Sequence, residues 1–373
     1  MSLGICIVSS AYRPYPSGVS EHAHHLAVAL RDRGHAVDIL TGSYPGSGPG
    51  TPGITRLGRT LILPANRSRF TLPIGVRLPA QVRRYFSGRR FDIVHCHGIF
   101  PPELAYWATI HTRAPVVVTF HTSGLQLPGF IPAGFRRLFA GLRGRVRARI
   151  AVSEAGRRWA EAWFPGKYHV IPNGVDLNRF HPGAMLPPEA ASLQPYLLFV
   201  GRLEQRKGLE VLLRAMPAIL VRVPRIRLVV VGSGPLETSC RRLASRLDIA
   251  GRVHFLGGID GDDLPGWYAG AELYVSPALS GEAMGIVLIE AMASGVPVVA
   301  ADIAGYDEVV TTGLDGLLVP PGNPGALAAA VGELLADPDR RSRLAGAGRE
   351  RARHYAWPRV AQQVEAVYRE VLD

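Results

Sequence analysis

The chain has 373 residues, 47% of them hydrophobic and 19% charged. This excludes a disordered chain and, at this length, one ordinary core, so two domains are expected. The net charge is +12 and uneven: residues 1–180 hold 23 Lys and Arg against 8 Asp and Glu, a net +15, which leaves −3 for the rest. Such a field attracts anionic partners such as lipid headgroups, phosphates or nucleic acid.

The run Leu3-Gly4-Ile5-Cys6-Ile7-Val8 has no basic stretch before it and no cleavage-like site after it. It reads as a buried first strand rather than a signal peptide. The turn Pro16-Ser17-Gly18-Val19 opens a helical pattern over 19–33, in which His22, His24 and His25 lack the spacing of a full zinc set. Further strand-like runs fall at 35–41, 91–97, 115–120, 148–152 and 168–172. The segment from Gly42 to Gly53, rich in Gly, Pro and Ser, is expected to be a mobile loop. On the 91–97 strand His95 and His97 share one face, but no third ligand is apparent, so no metal is expected. The 115–120 run is continuously apolar, as suits a parallel sheet covered on both faces, and His121 ends it. The three cysteines, Cys6, Cys96 and Cys240, are far apart and odd in number, which fits a reducing compartment without a disulfide framework.

The stretch His181 to Pro195 has four prolines and no periodicity and reads as a linker. After it the pattern repeats, with strand-like runs at 195–201, 226–232, 252–256, 272–277, 296–301 and 316–319 and helical spacing over 208–222 and 234–248. This alternation means two doubly wound α/β domains, with ligands expected in a cleft at the carboxyl ends of the strands. No window reaches the roughly 18 apolar residues of a membrane span; Gly285 to Ala301 comes nearest and carries Glu290.

The sharpest segment is Ser280-Gly281-Glu282-Ala283-Met284-Gly285-Ile286-Val287-Leu288-Ile289-Glu290. A glycine-containing loop opens a helix there, and the N–H groups near Gly285, Ile286 and Val287 favour an anion. Taken alone, Glu282 and Glu290 are equally surface acids near a helix start. Arg202 and Lys207 follow the 195–201 strand and suit a diphosphate. The chain has two lysines, Lys167 and Lys207, against 40 arginines, so a compact ammonium stands out at 207.

Four elements in order carry a resemblance across nearly the whole chain: Ile171-Pro172-Asn173-Gly174-Val175-Asp176, Val200-Gly201-Arg202-Leu203 with Lys207-Gly208, Val230-Val231-Gly232-Ser233-Gly234-Pro235, and Glu282-x7-Glu290. The chain resembles glycosyltransferase family 4, whose retaining members have the GT-B fold: two Rossmann-like domains facing a central cleft. The resemblance implies a nucleotide-sugar donor and no metal or other cofactor. By it, Glu290 holds the ribose hydroxyls, Glu282 lies near the transferred sugar, and Arg202 and Lys207 draw off the diphosphate. Gly18, Gly232, Gly234, Ile259, Met284, Gly285, Ile286 and Val287 complete the expected donor site, Met284 standing where the family usually has Phe. His121 is expected near the sugar, and Thr122 on the acceptor side. Asp260-Gly261-Asp262-Asp263 contains a literal Asp-x-Asp, but in a loop before a helix, where helix capping is the better account.

Within the family the chain is most similar to the phosphatidylinositol α-mannosyltransferases, through Thr119-Phe120-His121-Thr122-Ser123, Arg149 through Trp159, and Gly281 through Leu288. That similarity implies GDP-mannose as donor, a lipid-linked or polyol acceptor, and work at the cytosolic face of an anionic membrane. Arg67, Arg69, Arg77, Arg83 and Arg84 are then expected at the acceptor and membrane side. Domains are expected at 1–180 and 196–356, with a final helix, 357–373, returning to the first. A UDP- or ADP-sugar donor with a soluble acceptor stays open, as do a sugar-nucleotide epimerase or phosphorylase on the same architecture. A basic nucleic-acid-binding protein is disfavoured by the lack of interleaved aromatic residues.

Overall fold

The computed structural model describes residues 1–15, 17–44, 51–65, 68–100, 103–122, 141–259 and 261–373, with no side-chain description over 63–70. Arg67 and Asp260, and residues 45–50 of the Gly42–Gly53 loop, lie outside the described residues, as does the Arg69 side chain. The chain forms two compact units, Met1–Gly174 with Trp357–Asp373, and Val175–Ala356.

The first unit is built on an eight-stranded sheet ordered β4-β3-β2-β1-β5-β6-β7-β8. Its strands are β1 Gly4–Ser9, β2 Ala36–Ser43, β3 Ile54–Ala65, β4 Ser68–Ile74, β5 Ile93–His97, β6 Val116–Phe120, β7 Val146–Ala151 and β8 His169–Val170. All neighbours are parallel except β3 and β4, which pair antiparallel. Alternation along β1 sends Ile5 and Ile7 to one face and Cys6 and Val8 to the other. The Ile5–Ile7 face is covered by helices Gly18–Asp32 and Trp357–Leu372, the latter through Val360, Ala361, Val364 and Tyr368. The other face is covered by helices Leu78–Ser87 and Leu104–His111. Burial on both faces is the reason β6 tolerates five consecutive apolar or Thr residues.

The β3–β4 hairpin corrects the sequence reading, which had no strands between 42 and 90. Its alternation is blurred by Arg56, Gly58, Arg59 and Pro64, and Ile62 and Ile74 face solvent.

The second unit has six parallel strands ordered β11-β10-β9-β12-β13-β14. They are β9 Tyr196–Val200, β10 Arg227–Val231, β11 Val253–Gly257, β12 Leu273–Ser276, β13 Val298–Ala301 and β14 Leu317–Val319. The order reverses between β9 and β12, the switch point at which doubly wound sheets open a ligand crevice at the strand carboxyl ends. The expected linker at 181–195 lies inside this unit and carries a short helix, Pro188–Leu193, anchored by buried Ala190. The chain passes between units at Gly174–Val175 and Ala356–Trp357. A side chain at 174 would strike the Trp357 ring, its Cβ 2.4 Å from Cδ2.

Candidate functional site

In the second unit, the loop after β9 is locked to the end of β12. Gly208 has φ +69°, and a Cβ there would lie 1.9 Å from the Pro277 carbonyl oxygen. The Leu279 N–H also donates to the Arg206 carbonyl at 2.8 Å. This clamp brings the side chains of Arg206 and Lys207 to Glu282. Glu282 Oε1 accepts from Arg206 Nη1 at 2.5 Å and from Lys207 Nζ at 2.8 Å. Glu204, only 2% exposed, holds Arg202 at 2.8 Å and Arg206 at 3.1 Å. Three cations are thus fixed by two buried carboxylates, a charge-assisted network with one positive charge in excess.

Helix Ile286–Ala293 starts beside this cluster. Its cap, Gly285, has φ +75°, and a Cβ would meet the Tyr306 ring at 2.4 Å. Glu282 stands in the loop before the helix and Glu290 one turn inside it, as the sequence reading placed them. The two carboxylates have different partners: half-buried Glu290 accepts from Tyr268 Oη at 3.0 Å, whereas Glu282 holds the cation cluster. Burial, then Glu290, push the Tyr268 phenol well above its ordinary pKa, so it stays a donor. Met284 is buried, while Ile286, Val287 and Ile259 are half-buried.

Gly232 and Gly234 serve a packing purpose. A Cβ at Gly232 would lie 2.0 Å from the Gly201 carbonyl oxygen, and one at Gly234 2.6 Å from that of Leu203. The two loops carrying Arg202 and Ser233 therefore pack backbone to backbone, with Leu203 N–H donating to Ser233 O at 3.1 Å.

In the first unit, Gly18 opens its helix after the cap Ser17, whose side chain accepts from Ser20 N. His121 follows β6, with Thr122 beside it, both half-buried. His121 Nε2 lies 2.8 Å from His97 Nδ1, and the His22 ring stands edge-on to it at 4.7 Å. Burial and neighbouring imidazoles hold His121 and His97 well below the ordinary pKa, and burial takes His22 down to about 4. All three are neutral at pH 7.

The reading that His97 has no third potential ligand beside it is corrected here. His95 and His97 do share a face, with rings 4.7 Å apart, but His22 and His121 converge on His97 from distant segments. The capping account is also corrected for Asp263, which occupies the cap position of helix Leu264–Ala269 but makes no side-chain cap bond among the described residues. Arg77, Arg83 and Arg84 are exposed at the start and on the outer face of helix Leu78–Ser87, whose inner face buries Leu78, Val82, Tyr85 and Phe86. Sequence reasoning missed Glu204, Arg206, Tyr268 and the pairing of His22 with Asn173. For Glu204 and Arg206 the available signal was a run of charges in a turn too short to leave them all solvated.

Comparison with known proteins agrees with this architecture. The "Glycosyltransferase Family 4" model matches residues 16–179 and the "Glycosyl transferases group 1" model residues 188–351. The chain is 34% identical over 366 residues to a phosphatidyl-myo-inositol mannosyltransferase of Mycolicibacterium smegmatis, covering 95% of this chain and 91% of that protein. It is 32% identical to a D-inositol 3-phosphate glycosyltransferase of Catenulispora acidiphila, over 94% of this chain and 89% of that one. Among solved structures, a sucrose-phosphate synthase from Thermosynechococcus elongatus superposes with a TM-score of 0.77 at 25% identity, covering 98% of both chains. The chain belongs to glycosyltransferase family 4 and is a glycosyltransferase of the GT-B fold.

Proposed function

We propose that this enzyme transfers mannose from GDP-mannose to an inositol-bearing phospholipid at an anionic membrane surface. The observation that carries the donor assignment is the cation cluster of Arg202, Arg206 and Lys207, pinned by Glu204 and Glu282 at the carboxyl end of β9. A leaving diphosphate gains negative charge as the glycosidic bond breaks, and cations already fixed in place stabilise it without reorganisation. Glu290 takes the ribose hydroxyls, and the N–H groups of Gly285, Ile286 and Val287 face the phosphates. Gly232, Gly234, Ile259 and Met284 shape the donor pocket. His121, neutral, holds a sugar hydroxyl. In the retaining step the acceptor hydroxyl attacks carbon 1 from the side of the leaving group. The carbon–oxygen bond to phosphate breaks with its electron pair leaving on GDP, and the acceptor proton passes to a diphosphate oxygen.

The acceptor assignment is supported by the names of the relatives and by charge. The first unit has 24 Lys and Arg against 10 Asp and Glu, a net +14. Exposed Ile62, Ile74 and Val76 lie in the same part of the sequence as exposed Arg77, Arg83 and Arg84, the mixture of apolar and basic side chains that an anionic bilayer recognises. Among the described residues no helix is long and apolar enough to cross a membrane, so contact would be peripheral. A second reading, a soluble inositol phosphate acceptor, is favoured by the name of the Catenulispora relative. A thermal-shift panel of GDP, UDP, ADP and their sugars tests the donor. Stabilisation by GDP and GDP-mannose alone supports the proposal; stabilisation by UDP or ADP alone refutes its mannose part. Mannose transfer to phosphatidylinositol vesicles against free inositol phosphate separates the two acceptors.

A further inference from the structure

Four histidines meet inside the first unit, and they are not equivalent. His95 is spent on structure: its Nδ1 pairs with Tyr368 Oη at 2.6 Å and its Nε2 with Thr119 Oγ1 at 2.7 Å. The other three each offer a ring nitrogen, and these nitrogens all lie within 4.8 Å of one another. His22 Nδ1 donates to Asn173 Oδ1 at 2.9 Å, which fixes the tautomer and leaves the Nε2 lone pair free. That is the outer-shell arrangement which orients and strengthens a metal-binding imidazole. His97 shares one proton with His121 across 2.8 Å, and its buried Nε2 has no partner among the described residues. His22 and His97 are buried, whereas His121 is half-buried and gives a route inward.

We propose that His22, His97 and His121 form a three-imidazole site for a divalent transition ion of the zinc class, with its fourth position open to water. Three histidines plus water is a tetrahedral set such ions accept, and the rings are already in the neutral, ligating form. Nitrogens at about 2.0–2.1 Å from such an ion are about 3.3 Å apart. The His97–His121 pair must therefore open by roughly half an ångström, and the widest separation must close by about 1.5 Å, both within reach of side-chain rotation. The shared proton moves to the other nitrogen of the ring that carries it, so no net proton is released. If His121 meets the donor sugar, a consequence that rests on the proposed function, the bound ion inhibits transfer.

The test titrates untagged, chelator-treated full-length protein with Co2+ and follows visible absorption, then adds Zn2+. The expected result is one Co2+ per chain with the intense bands of four-coordinate cobalt, bleached by Zn2+. His22→Ala and His121→Ala are expected to weaken binding at least tenfold, and Asn173→Ala by about tenfold through the lost orienting bond. His24→Ala, on the same helix but outside the cluster, keeps wild-type affinity. Near-ultraviolet circular dichroism certifies that each variant is folded; if His22→Ala is not, His121→Ala and Asn173→Ala decide. Absence of cobalt bands in the wild type, or unchanged binding in folded His121→Ala and Asn173→Ala, overturns the proposal. Neither result depends on donor binding or turnover, so the site can fail while the transferase assignment stands, and the reverse.

Discussion

Lys207 Nζ lies 2.8 Å from Glu282 Oε1, and the same oxygen holds Arg206. The family motifs place these residues in one site, but the direct ion pair is a structural finding. It means the glutamate orders the cations. Lys207→Ala, which removes one of three cations and leaves Glu282 held by Arg206, is expected to lower kcat/KM about 10²–10³-fold. Lys207→Arg is expected to recover only part of this, since a planar guanidinium and a compact ammonium are not equivalent at a phosphate site. Steady-state kinetics with GDP-mannose check both.

The Gly208 clamp makes a stability prediction. Gly208 sits at φ +69°, and the methyl carbon of an alanine there would lie 1.9 Å from the Pro277 carbonyl oxygen, so Gly208→Ala forces the loop to move. A loss of about 2–4 kcal/mol is expected, read as a lower urea midpoint with unchanged slope. Gly251→Ala, where a Cβ meets nothing within 4 Å, is the matched control and is expected to shift stability little.

The buried histidines set a pH dependence. His22 falls to about 4 and His95 to about 3, both driven by burial, below the ordinary value of 6.5. The unfolded chain therefore binds more protons over this range, and stability is lost as pH falls from about 6.5 toward 4 for His22 and toward 3 for His95. His22 alone accounts for roughly 3 kcal/mol across its window. Glu365 and Glu21, lowered to about 2, act in the same direction but only below their ordinary value of 4.5. Urea midpoints measured from pH 7.5 to 4.5 isolate the histidine part; a flat profile there would falsify it.

Much of this was legible in the sequence because two signals were local. Continuous apolar strands alternating with helical spacing fixed the α/β class, and the loop-to-helix run around Gly285 placed Glu282 outside the helix and Glu290 within it. The β3–β4 hairpin was not legible, since exposed Ile62 and Ile74 break the alternation that marks a half-buried strand. The convergence of His22, His97 and His121 was hidden for another reason. Their separations follow from the order β1-β5-β6 and the helix over β1, which no spacing rule encodes.

The basic face makes a binding prediction. Replacing Arg83 and Arg84 with Ser leaves the buried face of their helix intact. At about 1 kcal/mol per basic residue near the surface, affinity for vesicles containing phosphatidylinositol is expected to fall roughly 10–30-fold at low salt. The difference should shrink as salt rises, because screening removes the same term. Vesicle cosedimentation at two ionic strengths checks this.

The Arg202–Lys207–Glu282 cluster is proposed to hold the diphosphate of a nucleotide sugar. Isothermal titration of GDP-mannose into wild-type protein and into Arg202→Ala/Lys207→Ala addresses it most directly. One donor per chain is expected in the wild type and at least about a hundredfold weaker binding in the folded double variant, the loss of two charge-assisted contacts. Equal affinity in the two proteins would contradict it.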